Sequence, residues 1–344
     1  MTLAINVDSF FIGLHGYALE RETLASMGVN LELRTLPSAE EIIRGAADAE
    51  VILVEHPTTP LNRSVIESLP RCRLIAKYGV GLDNIDVQAA SERGIVVCHA
   101  PDYCVEEVSD HALMLILACA RRMFVLDRHV RAGGWSGISP DPPIRRFREQ
   151  AVGLVGFGRI ARRVAEKLSG WRMRVAAFDP NIGPEVYAAH GVEAASLHSL
   201  LEQSDYLSLH VPLSHATRHL LGSEEFSRMR KGSFLINTSR GAVVDEGALI
   251  AALISGQLAG AALDVTEEEP LPVDHPLRSM PQVLVTPHFG ARSEEAVQSL
   301  RRTIIHSIAA FSEGFCPPFV ANPRTAQEQQ LQPYHLWKGA QEIL

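Results

Sequence analysis

Three side chains of the types that hold carboxylates and transfer protons follow predicted strands in the second half of the chain: Arg240, Glu269 and His288. An arginine can hold a carboxylate through two parallel hydrogen bonds. An imidazole exchanges protons near neutral pH, and a neighbouring glutamate orients it and favours its protonated form. Each residue alone would more often be a capping or surface residue. Together at strand ends of one domain, they suit hydride transfer at a carbinol or ketone carbon beside a carboxylate.

The elements that must position these side chains are four predicted strands of a parallel sheet. Ligands of open α/β sheets bind beyond the carboxyl ends of the strands, so the residues after each strand are expected at a binding site. The strands and the residues that follow them are Tyr206–Leu209 with His210, Val211 and Pro212; Ser233–Asn237 with Thr238, Ser239 and Arg240; Ala261–Asp264 with Val265 to Glu269; and Val283–Thr286 with Pro287, His288, Phe289 and Gly290.

The stretch Ala151–Asp179 is predicted to form a strand, a glycine turn, a helix and a second strand. Gly156 allows the tight turn, Gly158 lets the main chain approach a pyrophosphate, and Ala161 is small enough for close helix–strand packing. The amides at the helix N-terminus attract phosphate. Asp179 lies near the roughly 20-residue spacing at which a carboxylate accepts hydrogen bonds from an adenosine ribose. The stretch therefore predicts a dinucleotide site with NAD as the cofactor.

The first half of the chain is a second alternating β/α series, which predicts another parallel sheet with helices on its faces. Its predicted strands are Leu3–Val7, Val29–Leu33, Val51–Val54, Leu74–Ala76 and Ile95–Val97. The segment Lys77–Asn84 follows the fourth strand and contains two glycines. Its main chain either forms a small cradle for an anion or only reverses the chain direction.

Val105–Arg131 is predicted to be one long helix, acidic in its first turn and basic towards its end, as the helix dipole favours. Its central face is apolar nearly all round, so we expect it to be buried between domains or against a second subunit. A final helix, Ser293–Gly314, returns the chain to the first half. The Gln-rich end from Asn322 onward is expected either to be disordered or to cover the partner domain.

Composition narrows the class of protein. At 344 residues the chain exceeds what one hydrophobic core usually organises, so we expect two domains. A net charge of -8 gives no electrostatic reason to expect nucleic acid or an anionic membrane as a partner. The first residues lack the basic and apolar regions of a signal peptide, and no apolar stretch is long enough to span a membrane. We therefore expect a cytoplasmic protein.

The cysteines and histidines predict neither disulfides nor a metal site. The five cysteines are odd in number and have no C-x-x-C spacing. The histidines show no H-x-x-x-H pair with a glutamate between them. We assign no metal.

Five segments occur in an order that makes the chain resemble the D-isomer-specific 2-hydroxyacid dehydrogenases over roughly residues 40 to 320. They are GVGLDNID, VGLVGFGRIA, INTSRGAVVDEGAL, GAALDVTEEEP and TPHFG. The segment VEEVSDHALMLILACARR is most similar to the branch that includes the C-terminal-binding-protein corepressors. We therefore expect two doubly wound parallel-sheet domains. A Rossmann NAD-binding domain, residues 105–288, would be inserted in a flavodoxin-like substrate domain formed by residues 1–104 and 289–344.

The resemblance also implies residue roles. Arg240, Glu269 and His288 would be catalytic. The NAD site would comprise Gly156, Phe157, Gly158, Arg159, Ile160, Asp179, His210, Val211, Pro212, Thr217, Thr238, Ser239, Arg240, Asp264, His288 and Gly290. The substrate site would comprise Tyr78, Gly79, Val80, Gly81, Arg240 and His288, with the amides of Val80 and Gly81 on the substrate carboxylate.

The activity implied is hydride transfer between NAD(H) and a pair formed by a D-2-hydroxy acid and its 2-oxo acid. The protein would be a homodimer joined through its nucleotide domains, with the small acid as its partner and neither nucleic acid nor membrane. The alternative is an NAD-sensing, corepressor-like interaction protein whose dehydrogenase activity is incidental. The presence of all three catalytic side chains favours the enzyme.

Overall fold

The computed structural model describes residues 2–9 and 16–341, with side chains described through residue 339. The chain divides into two compact units. Unit 1 comprises Met1–Cys104 and Ser293–Leu344, and unit 2 is the continuous segment Val105–Arg292. The sequence predicts that the nucleotide domain ends at residue 288, four residues before unit 2 ends at Arg292. Each unit is an α/β fold on a parallel sheet, which confirms the predicted fold class.

Unit 1 contains a five-stranded parallel sheet in the order β2-β1-β3-β4-β5, the flavodoxin-like order. Its strands are β1 (Thr2–Asn6), β2 (Val29–Leu33), β3 (Val51–Val54), β4 (Leu74–Lys77) and β5 (Val96–Cys98). Its helices are α1 (Ala18–Ser26), α2 (Ala39–Gly45), α3 (Arg63–Glu67), α4 (Val87–Glu92), α12 (Glu294–Ser312) and α13 (Pro323–Glu328).

The core of unit 1 lies on both faces of this sheet. All four residues of β3 are buried, as expected for a parallel strand covered on both sides. Successive side chains alternate between faces, so Ala4 packs with Ile304 of α12 while Ile5 packs with Ile42 of α2. Strand β4 lies between β3 and β5, and the predicted glycine segment begins where β4 ends.

Unit 2 contains a seven-stranded parallel sheet in the order β12-β11-β10-β9-β6-β7-β8. Its strands are β6 (Ala151–Val155), β7 (Arg174–Phe178), β8 (Glu193–Ala194), β9 (Tyr206–Leu209), β10 (Ser233–Asn237), β11 (Leu258–Leu263) and β12 (Val283–Val285). Its helices are α5 (Val105–Ala120), α6 (Met123–Arg131), α7 (Arg159–Ser169), α8 (Pro184–Ala189), α9 (Leu197–Gln203), α10 (Ser223–Arg228) and α11 (Glu246–Ile254). Counted from β8, this is the Rossmann strand order with one further strand. The strands all run parallel, and the order in which the chain adds them reverses between β6 and β9.

The prediction of one long helix over residues 105–131 is wrong, because Arg122 breaks it. Arg122 has a left-handed backbone with φ of 53°, which an α-helix does not accommodate. Its buried guanidinium donates to the carbonyl oxygens of Cys119 and, at 3.0 Å, Pro142, and it lies 4.2 Å from the ring centre of Phe234. Helix α5 buries one face, and none of the nine residues of α6 is buried.

The described part of the C-terminal end, residues 322–341, is folded, so the expectation of disorder is wrong for these residues. It forms α13 and the short 3-10 helices Tyr334–Leu336 and Lys338–Gln341. Trp337 is 3% exposed and packs with alanines of α12 in its own unit. Its indole N–H donates to Glu313 at 3.0 Å. Trp337, together with Ala326, Leu331 and Tyr334, thus packs a largely polar tail on its own unit. Across the described ranges, no helix is long and apolar enough to cross a membrane.

Candidate active site

Glu269 and His288 are hydrogen-bonded at the carboxyl edge of the unit 2 sheet. His288 Nδ1 lies 2.7 Å from Glu269 Oε2, and the two side chains are 30% and 25% exposed. A carboxylate can only accept, so Nδ1 carries the proton in this contact. The second ring nitrogen, Nε2, is therefore the one that can exchange a proton with a substrate.

The main chain around this pair is fixed by short contacts. His288 has a left-handed backbone with φ of 52°, which costs about 1–3 kcal/mol in a residue other than glycine. Its amide donates to the carbonyl oxygens of Asp264 at 2.8 Å and Thr286 at 3.0 Å. On the other side of the pair, Glu269 Oε1 accepts from the amide of Thr266 at 3.2 Å. The main chain of His288 and the carboxylate of Glu269 are thus each held by a hydrogen bond that leaves their mutual contact intact.

Arg240 follows β10 and is positioned by Asn237. The Asn237 amide group donates to the Arg240 carbonyl at 2.9 Å and accepts from the Ser239 amide at 2.9 Å. A Cβ at the next residue, Gly241, would lie 1.9 Å from the carbonyl group of Thr266. The segment that carries Arg240 therefore touches the loop that carries Glu269. The three residues predicted to be catalytic lie on segments of one unit that support each other.

Asp264 is a buried carboxylate that is surrounded by donors. It is 3% exposed, and it accepts from the Thr286 hydroxyl at 2.6 Å and from the amides of Phe289 and Gly290 at 2.8 Å each. Burial by itself raises the pKa of Asp264, but the bonds from His111, Thr286 and the two amides hold it below its ordinary value. Asp264 is therefore an anion at neutral pH, fixed at the end of β11.

The glycine turn fits a dinucleotide. Gly156 has φ of 87°, and a Cβ there would lie 2.6 Å from the carbonyl oxygen of His210, so only glycine fits. A Cβ at Gly158 would meet nothing within 4 Å, which leaves space beside the main chain. Gly158 precedes α7 without a side-chain cap, so the first amides of the helix are available to phosphate. The carboxylate of Asp179 is aimed at the turn by the Phe157 amide at 2.9 Å.

Other residues predicted to bind the cofactor lie where their main chain or the shape of their loop, rather than their side chain, borders the turn or the strand end. The Phe157 ring is fully buried and stacks on Tyr187 at 4.9 Å, so only its main chain borders the turn. Arg159 and Ile160 form the start of α7. The Thr217 hydroxyl donates to the carbonyl of Pro212 at 2.6 Å and closes that loop.

Two further side chains, each on the first residue after one of two neighbouring strands, have the features of ligand contacts. Burial lowers the pKa of His210 to about 4, so this imidazole is neutral, with the Ser208 hydroxyl 2.9 Å from Nε2. Thr238 Oγ1 is buried and has no hydrogen-bond partner within the described part of the chain. A buried hydroxyl in that state is the kind of group that a bound ligand satisfies.

Comparison with known proteins places this arrangement in a family. Residues 113–290 match the family model described as D-isomer specific 2-hydroxyacid dehydrogenase, NAD binding domain. The chain is 39% identical over 289 residues to a glyoxylate reductase of Korarchaeum cryptofilum, covering 83% of this chain and 86% of the relative. The chain belongs to the D-isomer specific 2-hydroxyacid dehydrogenase family. It is an NAD-dependent D-2-hydroxyacid dehydrogenase, and NAD is confirmed as the cofactor.

Solved structures support the same assignment. The dehydrogenase is similar to a glyoxylate reductase from Paecilomyes thermophila, with a TM-score of 0.84 and 29% identity over 94% of this chain and 99% of that one. It is also similar to a D-lactate dehydrogenase from Aquifex aeolicus complexed with NAD and lactic acid. That match has a TM-score of 0.81 and 29% identity over 91% of this chain and 96% of the other.

The predicted substrate loop of the dehydrogenase, Tyr78–Gly81, belongs to unit 1. The Tyr78 side chain is 5% exposed within the core of that unit, and burial raises its pKa well above the ordinary value. The tyrosine ring is therefore a core group. Gly79 has φ of 139° and its carbonyl accepts from Ala100 at 3.0 Å, while Val80 remains exposed. Such a main chain leaves the Val80 end of the loop accessible to a ligand.

His111 is the site residue that the sequence did not indicate. It lies on α5, and its Nε2 is 3.0 Å from the Thr286 hydroxyl and 3.4 Å from an oxygen of Asp264. Because 175 residues separate His111 from Thr286, no local spacing connects them. No group of three or more His, Cys, Asp or Glu side chains that could hold a metal occurs within the described ranges.

Proposed function

We propose that this dehydrogenase interconverts a small 2-oxo acid and its D-2-hydroxy acid, with His288 as the proton donor and acceptor and Arg240 as the carboxylate ligand. The observation that carries the proposal is the 2.7 Å contact between His288 Nδ1 and Glu269 at the carboxyl edge of the nucleotide-binding sheet. That contact orients the imidazole and leaves Nε2 for the substrate oxygen.

The three residues would divide the chemistry. NAD(H), when bound, supplies or accepts the hydride. In reduction, His288 donates its Nε2 proton to the ketone oxygen as the hydroxyl forms, and in oxidation it removes that proton. Glu269 stabilises the imidazolium by its charge. Arg240 holds the carboxylate through paired hydrogen bonds and so fixes the orientation of the reacting carbon.

The names of the relatives support the substrate class. They include glyoxylate reductases and D-3-phosphoglycerate dehydrogenases, and the similar structures include a D-lactate dehydrogenase with lactic acid. All of these names refer to 2-hydroxy or 2-oxo acids. The role of the Val80 and Gly81 amides on the substrate carboxylate remains a proposal based on the family resemblance.

Turnover of a panel of 2-oxo acids with NADH tests this proposal. The panel comprises glyoxylate, hydroxypyruvate, pyruvate and bulkier analogues, with chiral analysis of the product. We expect NADH oxidation with at least one of them and a D-configured product from every member that is reduced, other than glyoxylate, whose product is achiral. An L-configured product, or no turnover of any member, would contradict the proposal.

The corepressor-like alternative predicts a different result from the same panel. A protein that only senses NAD has no chemical need for the Glu269–His288 pair, whose presence therefore favours the enzyme. Tight NADH binding without reduction of any oxo acid would favour the alternative.

We also propose that the dehydrogenase is a homodimer. Helices α5 and α6 leave Met114, Met123 and Val130 between 45% and 56% exposed, and α6 buries none of its residues within the chain. Apolar side chains of this size on neighbouring helices are typical of an interface. Sedimentation at micromolar concentration should give a dimer, and a monomer would count against this proposal.

A further inference from the structure

The loop that carries Glu269 is surrounded by carboxylate–imidazole pairs in unit 2, only one of which the proposed mechanism uses. The two others lie at the same loop but away from the reacting groups. The three contacts are Glu269 with His288 at 2.7 Å, Glu267 with His219 at 2.5 Å, and Glu246 with His275 at 3.3 Å. The last pair is the most buried of the three, and no part of the mechanism accounts for it.

Glu246 uses each carboxylate oxygen for a different segment. It is 8% exposed; its Oε1 accepts from the Glu267 amide at 2.5 Å and its Oε2 faces His275 Nε2 at 3.3 Å. Burial, with the nearby charges of Glu267 and Glu269, raises the pKa of Glu246 above its ordinary value, although the Glu267 amide and His275 act in the opposite direction. Glu246 is the first residue of α11, where the helix dipole also favours an anion.

Helix capping does not explain the placement of this carboxylate. The N-terminus of α11 is already capped by Asp245, which accepts from the Ala248 amide at 2.9 Å. The Glu246 side chain instead contacts Glu267, in the loop that follows β11, and His275, further along the same connection to β12. A buried carboxylate that holds a loop amide and an imidazole is an anchor for that loop.

The anchored main chain leads directly to the reacting pair. Glu246 holds the amide of Glu267, and the amide of the preceding residue, Thr266, donates to Glu269 Oε1 at 3.2 Å. The Thr266 hydroxyl donates to the carbonyl of Glu268 at 2.7 Å and closes the turn between them. The other oxygen of Glu269 meets His288. A shift of this loop would therefore move the carboxylate that orients the imidazole.

We propose that Glu246, anchored by His275, is a positioning residue that holds the Val265–Glu269 loop so that the Glu269 carboxylate meets His288. The proposal rests on the function proposed above. The Glu267–His219 contact is 32% and 43% exposed and contributes little, as exposed pairs generally do. Glu246 contacts His275 but not the His288 imidazole or the reacting atoms, so its effect on the reaction would pass through Glu269.

Two substitutions at Glu246 test this role. Glu246→Ala removes both contacts, and we expect kcat to fall about tenfold, less than the ~10²-fold cost of a 1 Å displacement of a catalytic group. The KM for the oxo acid should change by less than about twofold, because the carboxylate ligand Arg240 is retained. Glu246→Gln keeps an oxygen for the Glu267 amide and should restore most of the rate.

A matched control comes from an exposed pair of the same kind. Glu202 and His198 on α9 are 3.0 Å apart and more than half exposed. Glu202→Ala removes a carboxylate–imidazole contact that does not touch the loop, so kcat should be unchanged. Equal losses in Glu202→Ala and Glu246→Ala would overturn the proposal.

A double-mutant cycle with Glu269→Ala, which removes the contact with His288, separates positioning from general loss of stability. If Glu246 acts through Glu269, the effect of Glu246→Ala on kcat should shrink to less than about twofold in the Glu269→Ala background. Losses that multiply independently would overturn the proposal.

A spectroscopic measurement decides the question without turnover. In proton NMR, the Nδ1 proton of His288 should give a downfield resonance that is protected from solvent exchange and is absent in His288→Ala. This resonance should weaken or vanish in Glu246→Ala and persist in Glu246→Gln and Glu202→Ala. An unchanged resonance in Glu246→Ala would overturn the proposal. If the wild type reduces no oxo acid, the proposed function fails while this resonance still tests the positioning role.

If Glu246→Ala does not fold, His275→Asn replaces it. Asparagine can still cap the 3-10 helix at Pro276, where His275 now accepts from the Leu277 amide at 3.4 Å. It is too short to reach Glu246. We expect the same weakening of the His288 resonance and a smaller loss of kcat, and wild-type values for both would overturn the proposal.

Discussion

Unit 1 and unit 2 each hold a carboxylate against a basic side chain, but the two pairs differ in burial. In unit 1, Arg301 makes two hydrogen bonds to Glu20, at 2.6 and 2.7 Å, and their side chains are 8% and 0% exposed. In unit 2, Glu269 and His288 share one contact and remain a quarter or more exposed. A sealed pair of fixed charges holds helices α1 and α12 together, whereas a partly exposed imidazole can exchange protons.

The difference teaches that burial separates a pair that stabilises the fold from a pair suited to chemistry. The hydrogen bond to Glu20 raises the pKa of Arg301, so this guanidinium stays charged at any pH at which the protein folds. The His288 side chain instead remains 30% exposed, so its Nε2 is accessible to a substrate. Substitutions in the first pair should therefore change stability, and substitutions around the second should change rate.

The largest effect is expected from Arg301→Ala, which leaves the carboxylate of Glu20 buried without its partner. Loss of one member of a buried pair costs about 3–5 kcal/mol, here from the stability of unit 1. Guanidinium unfolding followed by circular dichroism measures it, with the exposed neighbour Arg302→Ala as the control. The rate per folded molecule should stay near wild type. A loss below about 1 kcal/mol would show that this pair resembles an exposed one.

Arg240→Ala should reverse this pattern, with unchanged stability and an impaired reaction. Charge-assisted hydrogen bonds contribute about 1.5–3 kcal/mol each, so kcat/KM for the best oxo acid should fall by about 10²-fold or more. Both KM and kcat should change, because Arg240 would hold the carboxylate in the ground and transition states alike. Arg240→Lys keeps the charge but not the paired geometry and should give an intermediate value. Wild-type steady-state parameters in Arg240→Ala would remove this residue from the site.

Much of unit 2 could be predicted because its signals are local. The glycine turn, the helix after it and Asp179 lie within one continuous stretch, and Glu269 and His288 follow strands that are neighbours in the sheet. Parallel strands bring the residues after them to one edge, so the hydrogen bond between these two side chains follows from the topology.

The features that sequence patterns missed depend on distant partners. The break at Arg122 relies on Pro142 and Phe234, and the contact of His111 with Thr286 spans 175 residues. Neither has a periodic signal. The tail from Asn322 has few apolar residues, yet Ala326, Leu331, Tyr334 and Trp337 pack it on the core of unit 1. Composition averages over a segment and conceals a few anchoring side chains.

A smaller effect, on the choice between NADH and NADPH, is expected from a substitution at Asp179. Asp179 would repel a 2′-phosphate, and the residues just after it supply no arginine to bind one. Asp179→Ser should reduce the preference for NADH over NADPH by about tenfold, equivalent to roughly 1.4 kcal/mol, without altering the catalytic pair. The ratio of kcat/KM for the two cofactors measures it. Equal use of both cofactors by the wild type would contradict the assigned role.

The smallest effect is expected from Glu269→Gln, which retains an oxygen for His288 but removes the charge. The rate of reduction should fall by only a few-fold at acidic pH, well below the ~10²–10⁴-fold contribution of general acid catalysis. The loss should grow as pH rises, because a neutral amide stabilises the imidazolium less than a carboxylate does. A pH–rate profile measures this. A loss that grows as pH falls would contradict the proposed charge effect.

The measurement that tests the account most directly is the turnover of His288→Ala on the best oxo acid, made together with its affinity for NADH. Removal of the proton donor should lower kcat by about 10²–10⁴-fold and leave the Kd for NADH nearly intact, because general acid catalysis is realised only in the transition state. The exposed His198→Ala should behave as wild type and serves as the control. Wild-type turnover in His288→Ala would contradict the central claim that this imidazole carries the proton.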